Sequence, residues 1–482
     1  FARDVRRAIF YKVLGFSARE IDAFGTPSLI TRNTNDVQQV QLVLSMGLMM
    51  MVSAPITMIG GILMALQHTS GLTWLIAVMV PVMITVVLSM LKVAMPHFRV
   101  MQTRIDRINS VLREQISGIR VIRAFVRDDS EHERFAEASA DLRDTQLRIN
   151  RTFALVINLS TVGTVWFGGK LVAGGSMEIG DISAFMSYLM QILMSVMFAT
   201  MMLTLVPRGA ASAERIQAVL DSQASVIAPE HPQSADQPGS IAFKSVTFAY
   251  PGAEEPVLRD LVFEIKPGQF TAVVGGTGSG KTTLVNLVLR FFDADQGEVV
   301  VNGRNVREQA LDKLWQQVAV VPQRISLFSG SVRDNVRFGA QEISDDAVWR
   351  ALEIAQAKDF VEEMENGLDA EISQGATNLS GGQKQRLSIA RAIATSPAIM
   401  VLDDSFSALD AATDQRLRAA LHKELAGVTM LVVAQRVSTV LHADQIIVLD
   451  EGAIAGIGTH DELMAGCEAY RELVGSQLEV SA

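Results

Sequence analysis

Through the first 221 residues apolar positions run together instead of alternating with polar ones. Uncharged runs at residues 37–67, 72–91, 152–169 and 182–207 are each near or above the ~18 to 20 residues with which a helix crosses a ~30 Å hydrocarbon core. They predict four membrane spans, since helices in a soluble core seldom hold such lengths without a charge on one face. Residues 96–151 between the second and third runs are charged, but Ile105, Ile108, Leu112 and Ile116 recur at helical spacing. That predicts a helical hairpin extending from the membrane. From Ile241 the pattern shifts to short apolar runs closed by glycine or a carboxylate. Residues 270–274, bounded by Gly268 and Gly275, read as a buried strand, as do residues 399–402, whereas 284–292 read as an amphipathic helix. Residues 222–240, rich in Pro, Ser, Ala and Gln, form a linker ending near Gly239.

Composition agrees with a membrane portion: 482 residues suggest two or three domains, and 49% hydrophobic residues is high for a soluble chain. Arginine gathers in residues 1–36 and 92–151, while the loop 67–71 has no Lys or Arg and the loop 170–181 has one lysine against Glu178 and Asp181. The Arg-rich side is therefore cytoplasmic. A net charge of −10 offers nothing to nucleic acid. Cys467 is the single cysteine, so there is no internal disulfide. Methionines, including Met49-Met50-Met51 and Met186, Met190, Met194, Met197 and Met201, concentrate before Pro207. Their soft side chains suit an adaptable apolar surface, although lipid-facing filler weighs about two to one over a substrate role.

The segment Gly275-Gly276-Thr277-Gly278-Ser279-Gly280-Lys281-Thr282 fits the phosphate-loop pattern and stands between the predicted strand and helix. Glycines let backbone N–H groups turn toward phosphate oxygens, and the helix N-terminus adds positive potential. Lys281 neutralises the β and γ phosphates and the Thr282 hydroxyl can ligate Mg²⁺.

Further on, Val321-Pro322-Gln323 precedes Leu327-Phe328, Leu379-Ser380-Gly381-Gly382-Gln383 precedes Lys384-Gln385-Arg386-Leu387, and Asp403-Asp404 runs into Ser407-Ala408-Leu409-Asp410. Residues 431–436, ending in Gln435-Arg436, close the set. Together these resemble the ATP-binding cassette (ABC) family over residues 241–482. The resemblance implies an exporter-type α-helical transmembrane domain (1–221, with intracellular coupling loops) joined by the linker 222–240 to an α/β P-loop cassette (241–482). It implies ATP and Mg²⁺ as cofactors, with Tyr250 stacking on adenine, Thr283 completing the nucleotide set, and Gln323 and Asp403 joining Thr282 around the metal. Segments 16–36 and 117–125 resemble the first and second coupling loops, which would bury Phe24 and Phe125 against cassettes, one or both of them belonging to a partner chain. The family pattern places six membrane helices before the cassette. The two expected before the first loop are not in this sequence, and the run after Arg151, 18 residues or ~27 Å at ~1.5 Å per residue, is short.

At the catalytic positions the sequence departs from the family. Active members place glutamate after the metal-shell aspartate, and Asp404 stands there, one methylene shorter. The switch histidine is replaced by Gln435, which hydrogen-bonds but carries no proton or positive charge. Gln374 stands where many exporters have glutamate. The signature residues Leu379, Ser380, Gly381, Gly382 and Gln383, with Asp410, are intact. In the family they act on ATP held by a partner cassette. The resemblance thus implies a hydrolysis-impaired half of a heterodimeric exporter in the cytoplasmic membrane, moving an amphipathic or lipophilic small molecule. Its partner would be a second half-transporter with catalytic Glu and switch His. An importer on the same scaffold, as in some siderophore carriers, and an ATP-gated regulator or channel are the alternatives.

Overall fold

In the computed structural model, residues 1–49, 53, 56, 100–101, 103–175, 178–340, 342–434 and 440–479 are described. The predicted runs 37–67 and 72–91 lie mostly outside them, as does Gln435. The chain divides into two compact units, one holding Phe1–Lys12 and Pro27–Asp221, the other Val13–Thr26 and Ser222–Ala482.

The first unit is helical. Residues 103–124 run as helix, turn at 125–126, and continue in the helix Asp128–Ala173. This is the hairpin that the periodicity predicts, but its tip falls at 125–127. Residues 117–124 continue the helix instead of forming a separate tip segment, because no Gly-Pro or capping signal interrupts them. Arg104 donates to Asp141 at 2.6 Å and Arg134 to Glu114 at 2.8 Å across the hairpin. Such half-exposed pairs align the arms more than they stabilise them. Phe125 is exposed. Residues 152–169 and 182–207 are helical, the latter within Ile179–Asp221. Among the described residues no helix is long and apolar enough to cross a membrane.

The helix Ile179–Asp221 meets the segment entering at Thr26–Thr31 through a buried charge. A π-helical turn, Arg32–Asp36, ends in Asp36, which is fully buried. Its carboxylate accepts two bonds from Arg215, at 2.8 and 2.5 Å, and one from Ser212 at 3.0 Å. The Arg215 contact holds the Asp36 carboxyl below the usual carboxylate range against the opposing effect of burial. A Cβ on Gly209 would stand 2.5 Å from Val43, so glycine is what lets these helices approach.

The second unit is built on short strands, several of them apolar and buried along their whole length. The strands are β1 Ile241–Phe248, β2 Leu258–Ile265, β3 Phe270–Gly275, β4 Gln296–Val301, β5 Arg304–Asn305, β6 Val318–Val321, β7 Gly330–Ser331, β8 Glu371–Ile372, β9 Ile399–Asp403, β10 Thr429–Val433, β11 Gln445–Asp450 and β12 Ala453–Gly458. The main sheet has the order β12-β11-β3-β10-β9-β6, with β11, β3, β10, β9 and β6 parallel. Parallel strands are covered on both faces, so their side chains alternate between two cores. Val273, Val401, Leu431 and Val433 face the sheet β2-β1-β4-β5. Ala272, Leu402, Val432 and Val448 face a core completed by the helices Asp345–Ile354 and Gly381–Ala394. The helix after β3 spans Lys281–Val288, starting earlier than the apolar pattern because the phosphate loop itself nucleates it. The first-loop segment belongs to this unit as far as Thr26: Phe16 stacks on Phe24 at 5.8 Å, Ala18 packs on the β1–β2 core, and Ser17 bonds Ser225 at 2.8 Å.

Candidate nucleotide site

Parallel strands place their following loops on one edge of the sheet, where such folds bind ligands. Here β3 delivers the phosphate loop, β9 delivers Asp403 and Asp404, and β10, paired to both, ends just before Ala434 and Gln435. Gln323 is exposed two residues past the end of β6, on the same edge.

Two glycines make the loop possible. A Cβ at Gly275 would stand 2.2 Å from the Leu449 carbonyl oxygen of β11, a backbone atom that cannot move aside. Gly280 caps the following helix at φ +95°, in the left-handed region that disfavours any side chain. Lys281 then folds back over the loop, donating to the carbonyl oxygens of Gly275 at 2.9 Å and Gly276 at 2.6 Å, with Ser279 Oγ 3.3 Å away. Burial lowers the Lys281 ammonium from its usual range, while Asp403 and Asp404 oppose that shift. The loop carbonyls hold the cation where an anion of higher charge can recruit it.

Asp403 closes β9 with its carboxylate nearly buried. Burial pushes it above the ordinary carboxylate range, a hydrogen bond from Thr282 and the charge of Lys281 pull it back, and Asp404 pushes it up further. A buried carboxylate paired with a hydroxyl is a hard-oxygen donor set that suits Mg²⁺, which takes its remaining ligands from water and phosphate. Among the described residues no cluster of three or more His, Cys, Asp or Glu side chains forms a self-sufficient metal site. Asp404 follows in a left-handed turn, φ 47°, its N–H bonded to Val433 at 3.0 Å.

Tyr250 reaches the helix Lys281–Val288 through Thr283. Its ring meets Phe248 and Phe292 edge-on at 5.1 and 5.3 Å, and its hydroxyl bonds Thr283 Oγ1 at 3.1 Å. Asp295 accepts the Ala249 N–H at 2.7 Å and fixes the turn that presents this ring. Sequence reasoning missed Asp295, because its partner lies 46 residues away.

The signature lies at the start of the helix Gly381–Ala394. Ser380 Oγ accepts the Gln383 N–H at 3.3 Å, and the Gln383 side chain returns a bond to the Ser380 N–H at 2.9 Å. This capping box uses a lone pair of the Ser380 hydroxyl and leaves its proton for an outside acceptor. Gly381 is exposed and Gly382 half-buried, and Leu379 anchors the turn in the core. Asp410 is engaged otherwise, accepting the Thr413 N–H at 2.9 Å to start the helix Ala411–Glu424. Among the described residues none of the signature's hydrogen bonds reaches the phosphate loop.

The family model of the ABC transporter transmembrane region matches residues 1–196, and that of the ABC transporter matches residues 258–407. An uncharacterized ABC transporter ATP-binding protein of Mycobacterium tuberculosis is 44% identical over 99% of this chain and 84% of its own length. This chain belongs to the ABC transporter family. An ATP-dependent lipid A-core flippase of Xanthomonas campestris is 34% identical over 99% of this ABC transporter and 82% of its own length. The solved structure of a bacterial Atm1-family ABC exporter with ATP bound shares the fold, with a TM-score of 0.72 at 23% identity, over 99% of this chain and 85% of the other. The transporter therefore has an exporter-type fold with an ATP-binding cassette.

Proposed function

We propose that this chain is one half of an ATP-driven exporter of an amphipathic or lipophilic molecule, the half whose own ATP site hydrolyses poorly while its signature completes the partner's site. The single observation behind this is the pairing, in one cassette, of Asp404 where an active member has glutamate with an intact, exposed signature at Ser380 and Gly381. Water positioning depends on near-contact geometry, and a ~1 Å shortfall costs on the order of 10²-fold. An aspartate at Asp404 falls short by about one methylene. Gln435 adds to the loss because an amide cannot carry the positive charge of a switch histidine. The kinship to a lipid A-core flippase favours export of a lipophilic substrate.

In this reading Lys281 and the loop N–H groups hold the phosphates, Tyr250 offers a ring face to the base, and Thr282, Gln323 and Asp403 hold Mg²⁺. That ion, when bound, neutralises phosphate charge. The Ser380 proton and the unpaired N–H groups of Gly381 and Gly382, at a helix N-terminus, suit a γ-phosphate brought by another cassette. A second half-transporter with Glu and His restored is the partner that this division of labour calls for.

ATP turnover by the chain purified alone tests the reading. Binding of MgATP with little hydrolysis is expected. Robust hydrolysis that Asp404→Asn abolishes would overturn it.

A further inference from the structure

Gln385 belongs neither to the phosphate loop nor to the signature, yet it is polar and 3% exposed within the helix Gly381–Ala394. A buried amide costs free energy unless it is paired, and its partner lies in a different segment. Gln385 Oε1 accepts the backbone N–H of Ala408 at 3.2 Å. An apolar side chain would fill the same space without selecting one register for the two segments, whereas a side chain-to-backbone bond selects one.

The contact is close along its length. A Cβ on Gly382 would stand 3.3 Å from the Ala408 carbonyl oxygen and one on Gly381 would touch the Ala408 side chain at 3.7 Å. The far side of the 405–410 segment is pinned as well. Ser407 Oγ donates to the Asp404 carbonyl oxygen at 3.1 Å, and Ser405 Oγ donates to that of Val321 at 3.0 Å. The segment that leads away from Asp404 is thus fastened to β6 at one end and to the signature helix at the other.

We propose that Gln385 is a positioning residue that sets where Ser380 and the Gly381 and Gly382 N–H groups meet the other cassette's ATP. Through Ala408 it makes the signature and the 405–410 segment one body, so the signature cannot slide independently of the loop that follows Asp404. This rests on the reading that the signature serves ATP held by another cassette.

The test uses the transporter purified from membranes through a tag on this chain, together with whatever half-transporter accompanies it. Gln385→Met keeps length and burial but loses the acceptor, and Gln385→Glu keeps an acceptor. A signature displaced by a fraction of an ångström should lower kcat for ATP about 10-fold, with KM and the ATP retained on this chain changed by no more than ~2-fold. Gln385→Glu should recover most of the loss. Should Gln385→Met fail to assemble, Gln385→Asn, polar but one methylene too short to reach Ala408, is measured in its place. An unchanged kcat, or equal losses in Met and Glu, overturns the positioning role. Ser380→Ala separates the two layers. If it abolishes turnover while Gln385→Met does not lower it, only the positioning role falls. If turnover survives Ser380→Ala, the signature reading falls and the positioning role falls with it.

Discussion

Within one cassette, the phosphate side and the signature side stand differently against the family pattern. The phosphate side keeps what binds: Gly275 against Leu449, Lys281 folded over its loop, and Asp403 bonded to Thr282. Where the family pattern has glutamate and a switch histidine, it carries Asp404, one methylene shorter, and the amide Gln435. The signature side keeps everything, down to a capping box that leaves the Ser380 proton outward. Binding needs charge and backbone donors, which tolerate small displacements, whereas hydrolysis needs one water held within a fraction of an ångström. A site can therefore lose turnover while still holding its nucleotide. On the proposed reading, the chain's two chemical surfaces serve different ATP molecules.

The largest effect should come from the intact side. Ser380→Ala, or Gly381→Val, removes γ-phosphate contacts made only when the sites close, so ATPase of the assembled transporter should fall ~10²-fold or more while this chain still retains ATP. Lys281→Ala should empty this chain's site and lower turnover less, by about 10-fold, in the same assay. If the two ranks are reversed, the comparison is inverted and the phosphate side is the catalytic one.

Asp36 tests whether a buried charge in the membrane unit persists only with its partner. Asp36→Asn leaves Arg215 facing an amide and should cost about 1–3 kcal/mol, below the ~3–5 kcal/mol of a wholly buried pair because Arg215 is half solvated. Thermal unfolding in detergent measures it. The folded carboxyl lies below its unfolded value, so the contribution is complete above the unfolded pKa and is lost as pH falls through the folded one. The wild-type and Asp36→Asn melting temperatures should converge in acid and differ at neutral pH.

Asp404→Glu should change turnover of the assembled transporter least, a gain of at most a few-fold, since on this account the companion's site already carries that turnover and Gln435 stays in place. Full restoration would mean that a single methylene accounts for the whole deficit.

Much of this was legible in the sequence because local chemistry dictates it. The phosphate-loop pattern and the apolar strands β3 and β9 each depend on neighbours within a few residues. What escaped depends on topology. Asp36 and Arg215 are 179 residues apart, and Gln385 reads as an ordinary polar helix residue until the chain brings Ala408 to it. Coupling-loop resemblance suggests a separate segment at 117–125, where backbone propensity simply continues the helix to residue 124. Resemblance alone sets Tyr250 against adenine, and its hydroxyl bond to Thr283 does not follow from a turn motif.

The central claim is that this chain holds ATP without hydrolysing it while its companion turns over. The most direct measurement is photo-crosslinking of the working transporter with α-labelled azido-ATP, followed by separation of the two chains and identification of the nucleotide on each. Intact triphosphate on this chain and diphosphate on the companion is the predicted result. Diphosphate accumulating on this chain at the rate of overall turnover would contradict it.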